Sequence, residues 1–306
     1  MSIILITGGA GNIGSRLSTL LANDLDNHIV ILDNLLTGVR THVPSQDNVT
    51  FIEADVNDYE AVNSVFGRFD FDYVFHLAAM VGVKRTLAHP IQVLNDIEGI
   101  KHILSLSKHS SVKRVFYSSS SEVYGEPFEV PQHENTTPLN SRLPYAIVKN
   151  VGEAFFKSYF DEYGLPYTIF RFFNTYGPHQ STDFVVPRFL HAALNNAPIT
   201  IHGDGLQTRS FCYIDDTVET CIKAMTEGKH INDVLNVGND VEMTILDLVQ
   251  TIKDLTQSTS EIIHLPALKE GDMRRRCPDS TKMKQVLQRE LTPLTVGLQH
   301  LIEGCF

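Results

Sequence analysis

The chain has no tryptophan and only four cysteines among 306 residues. Those cysteines, Cys212, Cys221, Cys277 and Cys305, show no CxxC spacing. That excludes a disulfide scaffold and a zinc ribbon, and buried or free thiols in a reducing cytoplasm are expected, with no metal. Positive charge is also scarce: Lys and Arg number 25 against 36 Asp and Glu, a formal charge of -11. A nucleic-acid partner needs a basic footprint that this chain lacks. A phosphate-bearing ligand must be met by local cations, because the overall field repels it. Long apolar runs are missing too. Ile3–Ile6 is too short for a signal segment, and no stretch approaches the ~18 residues of a membrane span. A soluble, cytoplasmic protein with no membrane partner is expected. Apolar residues make up 42% and charged residues 20%, enough to bury a proper core.

The apolar residues that are present come in short runs separated by amphipathic stretches. Ser2–Ile6, Ile29–Leu32, Val49–Glu53, Tyr73–Leu77, Val115–Ser118 and Tyr167–Phe172 read as strands. Ile13–Asn23, Ile91–His109 and Tyr145–Tyr163 read as helices. Strands without polar alternation, separated by helices, indicate a parallel sheet covered on both faces. Right-handed crossovers make it doubly wound, a Rossmann-type α/β fold. After about residue 175 the pattern loosens into loops (Gly177-Pro178, Gly203-Asp204-Gly205) and shorter helices at Val186–Asn195, Ile214–Thr226 and Ile245–Leu255. We therefore expect a nucleotide-binding domain over 1–175. A smaller mixed α/β substrate domain is expected over 176–306, with segments that cross back and a ligand cleft between the two.

Thr7-Gly8-Gly9-Ala10-Gly11-Asn12-Ile13-Gly14 follows the first strand and opens the first helix. A glycine motif alone is weak, but this one has the required context. Glycine lets the backbone approach a pyrophosphate resting on the helix N-terminus. Asp33 ends the second strand 19 residues after Gly14. Its carboxylate suits the ribose hydroxyls of NAD and repels the 2′-phosphate of NADP, and Asn34 adds no cation. Asp55 ends the third strand and is placed to meet the adenine. Tyr145 and Lys149 lie four apart, on one face of a helix. An ammonium nearby, with a positive nicotinamide ring, is expected to lower the phenol's pKa so that Tyr145 serves as a general base. Such a pair is common on solvated helices. Here it gains force from the serine-rich strand end Ser118-Ser119-Ser120-Ser121, whose hydroxyls can hydrogen-bond a reacting oxygen.

Taken together, these residues resemble the extended short-chain dehydrogenases that act on nucleotide sugars, a group of 4-epimerases, decarboxylases and 4,6-dehydratases. The likeness spans the chain. It includes Phe75-His76-Leu77-Ala78-Ala79, Ser118 through Gly125, Tyr145-x3-Lys149, Arg171 through Pro178 and Gly205 through Phe211. It implies that Ser120 completes a triad with Tyr145 and Lys149, and that Ser119 joins it at the substrate. It implies cofactor contacts at Gly8, Gly11, Asn12, Ile13 and Gly14, then at Asp33, Asn34, Asp55 and Val56, and at Leu77, Ala78, Ala79 and Ser118. Asn174, Arg209 and one of Arg274, Arg275 and Arg276, preferably Arg276, are implied at the diphosphate, and His202 against the base.

Reaction type turns on a few departures. The dehydratases resemble Thr-Asp-Glu where this chain has Ser120-Ser121-Glu122, so an acid is missing while the base candidate Glu122 remains. The decarboxylases resemble Thr-Ser-Glu, but read Tyr-Asp-Glu-Gly-Lys where this chain has Tyr145-Ala146-Ile147-Val148-Lys149, as in many epimerases. Asp96 stands where galactose epimerases often carry asparagine. The expected function is an NAD-dependent 4-epimerase of a nucleoside-diphosphate sugar, UDP-linked by preference, working through a transient 4-keto sugar. The alternatives are decarboxylation, net C4 oxidation or dehydration and, in a different class, a non-catalytic NAD sensor, which would be expected to have lost Tyr145 or Lys149. The long helices Ile91–His109 and Tyr145–Tyr163 resemble those that pair the family into homodimers.

Overall fold

The computed structural model describes residues 1–267 and 273–304, and of Val83 and Lys84 the backbone only. Cys305 lies outside the described residues; Cys212, Cys221 and Cys277 are buried free thiols.

Seven strands, numbered in chain order, form the central sheet: β1 (Ser2–Thr7), β2 (Asn27–Asp33), β3 (Val49–Glu53), β4 (Tyr73–His76), β5 (Arg114–Ser120), β6 (Tyr167–Phe172) and β7 (Asp233–Val237). Their spatial order is β7-β6-β5-β4-β1-β2-β3, and every neighbouring pair is parallel. The helices are α1 (Asn12–Ala22), α2 (Tyr59–Phe66), α3 (Val83–Ala88), α4 (Pro90–Ser107), α5 (Pro144–Tyr163), α6 (Val185–Leu194), α7 (Ile214–Thr226), α8 (Ile245–Thr256), α9 (Thr281–Leu287) and α10 (Leu294–Gly304). The fold is a Rossmann-type α/β sheet, as the alternating pattern implies.

Burial on both faces explains why the strands carry no polar alternation. Along β1, Ile4 and Ile6 join one apolar cluster while Leu5 joins the other. Successive side chains of a strand point to opposite faces, so both sets must be apolar. The first cluster takes Leu17 and Leu21 of α1 and Val218 and Ala224 of α7. The second takes Val62 of α2, Ile100 and Ile103 of α4 and Phe156 of α5. At the centre Phe75 and Phe116 stack with ring centroids 4.3 Å apart. Truncating such a ring to alanine costs about 3–5 kcal/mol.

The loosened region after 175 sends one segment back: β7 pairs with β6 and closes the sheet's edge. Around it stand three two-stranded ribbons, such as Ile199–His202 beside Ile262–Leu265. Among the described residues no helix is long and apolar enough to cross a membrane.

Candidate active site

A cleft of about 1130 Å³ opens at the carboxyl ends of β1, β2, β4 and β5. Its first wall is the glycine turn. Gly8 has φ 72°, and a Cβ there would lie 2.7 Å from the Ala78 nitrogen. A Cβ on Gly14 would lie 2.2 Å from the Gly8 carbonyl oxygen. Only bare backbone fits both places. Gly11 caps α1 without a side chain, so the helix presents its first amides to the cleft. Asp33, buried at the end of β2, accepts the Ala10 amide at 2.9 Å and the Leu35 amide at 2.8 Å. That fixes the carboxylate beside the turn. The cradle and the acceptor at its end fit the adenosine diphosphate of a dinucleotide. Asn34 donates to Asp55 at 3.1 Å, and Val56, Leu77, Ala78 and Ala79 continue the wall.

The second wall carries the reactive groups. β5 runs into the short turn Ser121–Tyr124, and α5 starts one loop later at Pro144, whose fixed φ suits the first helical position. This brings Ser118, Ser120, Glu122, Tyr145 and Lys149 onto one surface. Lys149 is buried and donates to the Ser118 carbonyl at 2.6 Å and to its hydroxyl at 3.2 Å. Desolvation lowers its pKa to about 8, against the pull of Asp96, which raises it. Asp96 accepts the Met80 amide at 2.8 Å, and burial pushes its carboxyl up. His76, buried beneath, is held neutral by burial and by Lys149, its pKa lowered to about 3.

Tyr145 corrects one expectation. Its phenol is pushed up, not lowered. Burial dominates, and the Ser120 hydrogen bond and Arg276 only partly offset burial, Glu122 and Asp96. The Lys149 ammonium stands 5.7 Å from the Tyr145 ring centroid, close to the ring but bonded to Ser118.

Other expected residues are placed as follows. The Ser119 hydroxyl donates to Glu153 at 2.6 Å. It thus belongs to a buried network in which Arg171 grips Glu153 at 2.7 and 2.8 Å and reaches the Tyr124 hydroxyl at 2.8 Å, and it is spent on holding the strand end. Asn174 faces the cleft and donates to the Ser210 carbonyl at 2.9 Å. Arg276 reaches the cleft but is ion-paired with Glu122 at 2.8 Å. Among the described residues Arg276 Nε and Glu122 Oε2 are buried without a hydrogen-bond partner. Arg275 is bound to Glu242 at 2.6 Å. Arg209 and His202 are absent from the described cleft wall: Arg209 donates to the Thr208 carbonyl at 2.7 Å, and His202 lies 3.1 Å from the Pro266 carbonyl. Sequence reasoning did not find Arg85, His42 or His179, which also line the cleft. They belong to no local motif, and only the tertiary fold brings them there.

Residues 4–238 match the NAD dependent epimerase/dehydratase family. The chain is 36% identical over 298 residues to a UDP-N-acetyl-α-D-glucosaminuronate decarboxylase of Bacillus cytotoxicus, covering 93% of this chain and 91% of that protein. It superposes on a UDP-glucose 4-epimerase of Thermotoga maritima, solved with UDP-glucose, at a TM-score of 0.92 and 33% identity, covering 98% and 97% of the two chains. A Thermus thermophilus UDP-glucose 4-epimerase in complex with NAD gives 0.90 at 27% identity, with 99% of each chain covered. The chain belongs to the NAD-dependent epimerase/dehydratase family, enzymes of nucleotide-sugar chemistry built on this sheet.

Proposed function

We propose that this chain is a nucleoside-diphosphate-sugar 4-epimerase, UDP-linked by preference. One observation carries the reading. Tyr145, Ser120 and Lys149 converge on the cleft, while Glu122, the acid–base candidate beside the serine run, is held by Arg276 at 2.8 Å. A carboxylate held in an ion pair is turned toward its partner instead of toward a substrate carbon. Epimerisation at C4 needs one proton-transfer group and no second one.

The glycine turn and Asp33 would hold the dinucleotide, with Asp33 selecting NAD over NADP. NAD, when bound, would supply the hydride acceptor and donor for C4, and its charged ring would add the positive field that a buried phenol lacks. The chain's own part is to place and move the proton. Tyr145 takes the proton of the C4 hydroxyl and gives it back to the same oxygen after the sugar has presented its other face. Ser120 holds that oxygen through its hydroxyl, and Lys149, anchored on Ser118, keeps an ammonium beneath the pair. Between the two transfers the 4-keto sugar must turn, which the open cleft allows. Asn174 is the diphosphate contact that already faces it. The non-catalytic reading loses ground because Tyr145 and Lys149 are both present and in place. The homodimer expectation is supported by exposed Ile91 and Leu94 on α4 and Ile147 on α5. A single-chain mass in sedimentation would overturn it.

A second reading, decarboxylation of a nucleotide-linked uronate, is favoured by Arg276, whose Nε is unpartnered among the described residues and could receive a carboxylate. Glu122→Gln separates the two. Epimerisation predicts a loss of turnover below roughly tenfold, about 1.4 kcal/mol of barrier. A loss of roughly a thousandfold, with the first reduction of NAD still visible as a burst, would place Glu122 in later chemistry and reject the epimerase.

A further inference from the structure

Two histidines outside every motif meet at the cleft. His42 ends the short turn Arg40–His42, nine residues after Asp33. His179 sits at φ 67° in the loop after Tyr176. Their rings stack with centroids 3.9 Å apart and planes 7° from parallel, and both line the cleft. Each loop is anchored to the cofactor wall or near it. The Val39 amide donates to the Ala10 carbonyl at 3.1 Å, and a Cβ on Gly38 would lie 2.9 Å from the Asp33 carboxylate. On the other side Gln180 donates its side-chain amide to the Thr175 carbonyl at 2.7 Å. His179 also feels Arg16 of α1, which is ion-paired with Asp215 at 2.6 Å. The stacked pair therefore bridges the Asp33 side of the cleft to the 177–181 loop, beside the first turns of α1.

A dinucleotide running from the amides of α1 to Asp33 must pass under this bridge or break it. We propose that His42 and His179 form a clasp that retains the adenosine half of the cofactor, closed while both rings are neutral and stacked. It rests on the NAD reading above but is independent of which sugar reaction follows. Burial, and then His179, hold the His42 pKa below its ordinary value; burial, and then Arg16, do the same for His179. The pair is thus uncharged at neutral pH. The other charged groups nearby have partners of their own. Asp33 holds two backbone amides, Arg40 lies over the Phe51 ring, and Asp183 pairs with Arg85. Protonation would put two like charges face to face, with Arg16 adding to the repulsion, and would open the stack.

The test is the release of NADH from the preloaded protein, chased with excess NAD and followed by fluorescence. In the wild type, release is slow near about pH 7.5 and at least roughly tenfold faster once the pH is taken below the ordinary imidazole range, where the pair charges. His179→Ala releases fast at both pH values. His179→Phe keeps a stacking ring without a titrating proton, so it releases slowly at both. Wild-type kinetics in His179→Ala would overturn the clasp. So would His179→Phe behaving like His179→Ala, which would mean that stacking does not hold the cofactor, or acid slowing release, which would mean that an imidazolium meets the diphosphate instead. Failure of the wild type to load any NADH would overturn the cofactor reading and the clasp with it. Normal loading with unchanged release overturns the clasp alone.

Discussion

Tyr145 and Lys149 owe their shared face to spacing, but their protons are governed by burial. Four residues along a helix put both side chains on the cleft, and that much is legible in the sequence. The fold then removes water from both. The phenol rises and the ammonium falls to about 8. Asp96 is the charge that opposes the fall of Lys149, so it sets the pH range in which the ammonium survives. The sign follows directly. Removing the carboxylate lowers the Lys149 pKa further and moves the alkaline limit of turnover to lower pH. Asp96→Asn can still accept the Met80 amide, and we expect the alkaline limb of its pH–rate profile to shift down by about one unit. An unmoved limb would show that Asp96 does not act on Lys149. The sequence does not reveal which hydroxyl of the serine run is spent on Glu153, or that Arg276 is taken by Glu122, because those partners come from distant elements. Arg209 and His202 stand outside the described cleft wall, and a motif gives a residue type without saying what that residue touches.

The element that the site depends on most is the β1–α1 turn. Gly14 is the tightest position in it. A methyl there meets the Gly8 carbonyl at 2.2 Å, whereas at Gly11 the same oxygen is 3.3 Å away. Gly14→Ala should therefore cost about 1–3 kcal/mol of stability by overpacking, and weaken NAD binding as the turn shifts. Gly11→Ala should cost clearly less of both. Thermal unfolding with and without NAD checks the order, and equal losses would contradict it. Elements with a clear apolar signature were legible to within a residue or two: β3 and β6 at their expected limits, α5 at Pro144–Tyr163 and α7 at Ile214–Thr226. Several elements escaped, α2 and β7 among them. α2 is only eight residues long, though Asp58 caps it by accepting the Glu60 and Ala61 amides. β7 carries Asp233 and Asn236 within five residues, so its apolar run is broken and only its pairing with β6 makes it a strand.

At the scale of the molecule, a parallel sheet with crossovers on both faces brings the carboxyl ends of its strands to one crevice. That topology puts the glycine turn around a single cleft with the serine run and α5, although more than a hundred residues separate the turn from both. It also leaves the reaction to a few side chains, because the same scaffold serves several chemistries. The central claim is that only the C4 hydrogen and its oxygen's proton move. Hydrogen lost from C4 returns to C4 without meeting solvent, while decarboxylation and dehydration must take a solvent proton at carbon. The direct measurement is incubation with UDP-glucose and UDP-glucuronate in deuterated water, with the products read by mass and NMR. The account predicts a C4-inverted sugar of unchanged mass with no deuterium on carbon. Loss of carbon dioxide or water, or deuterium at C5, would contradict it.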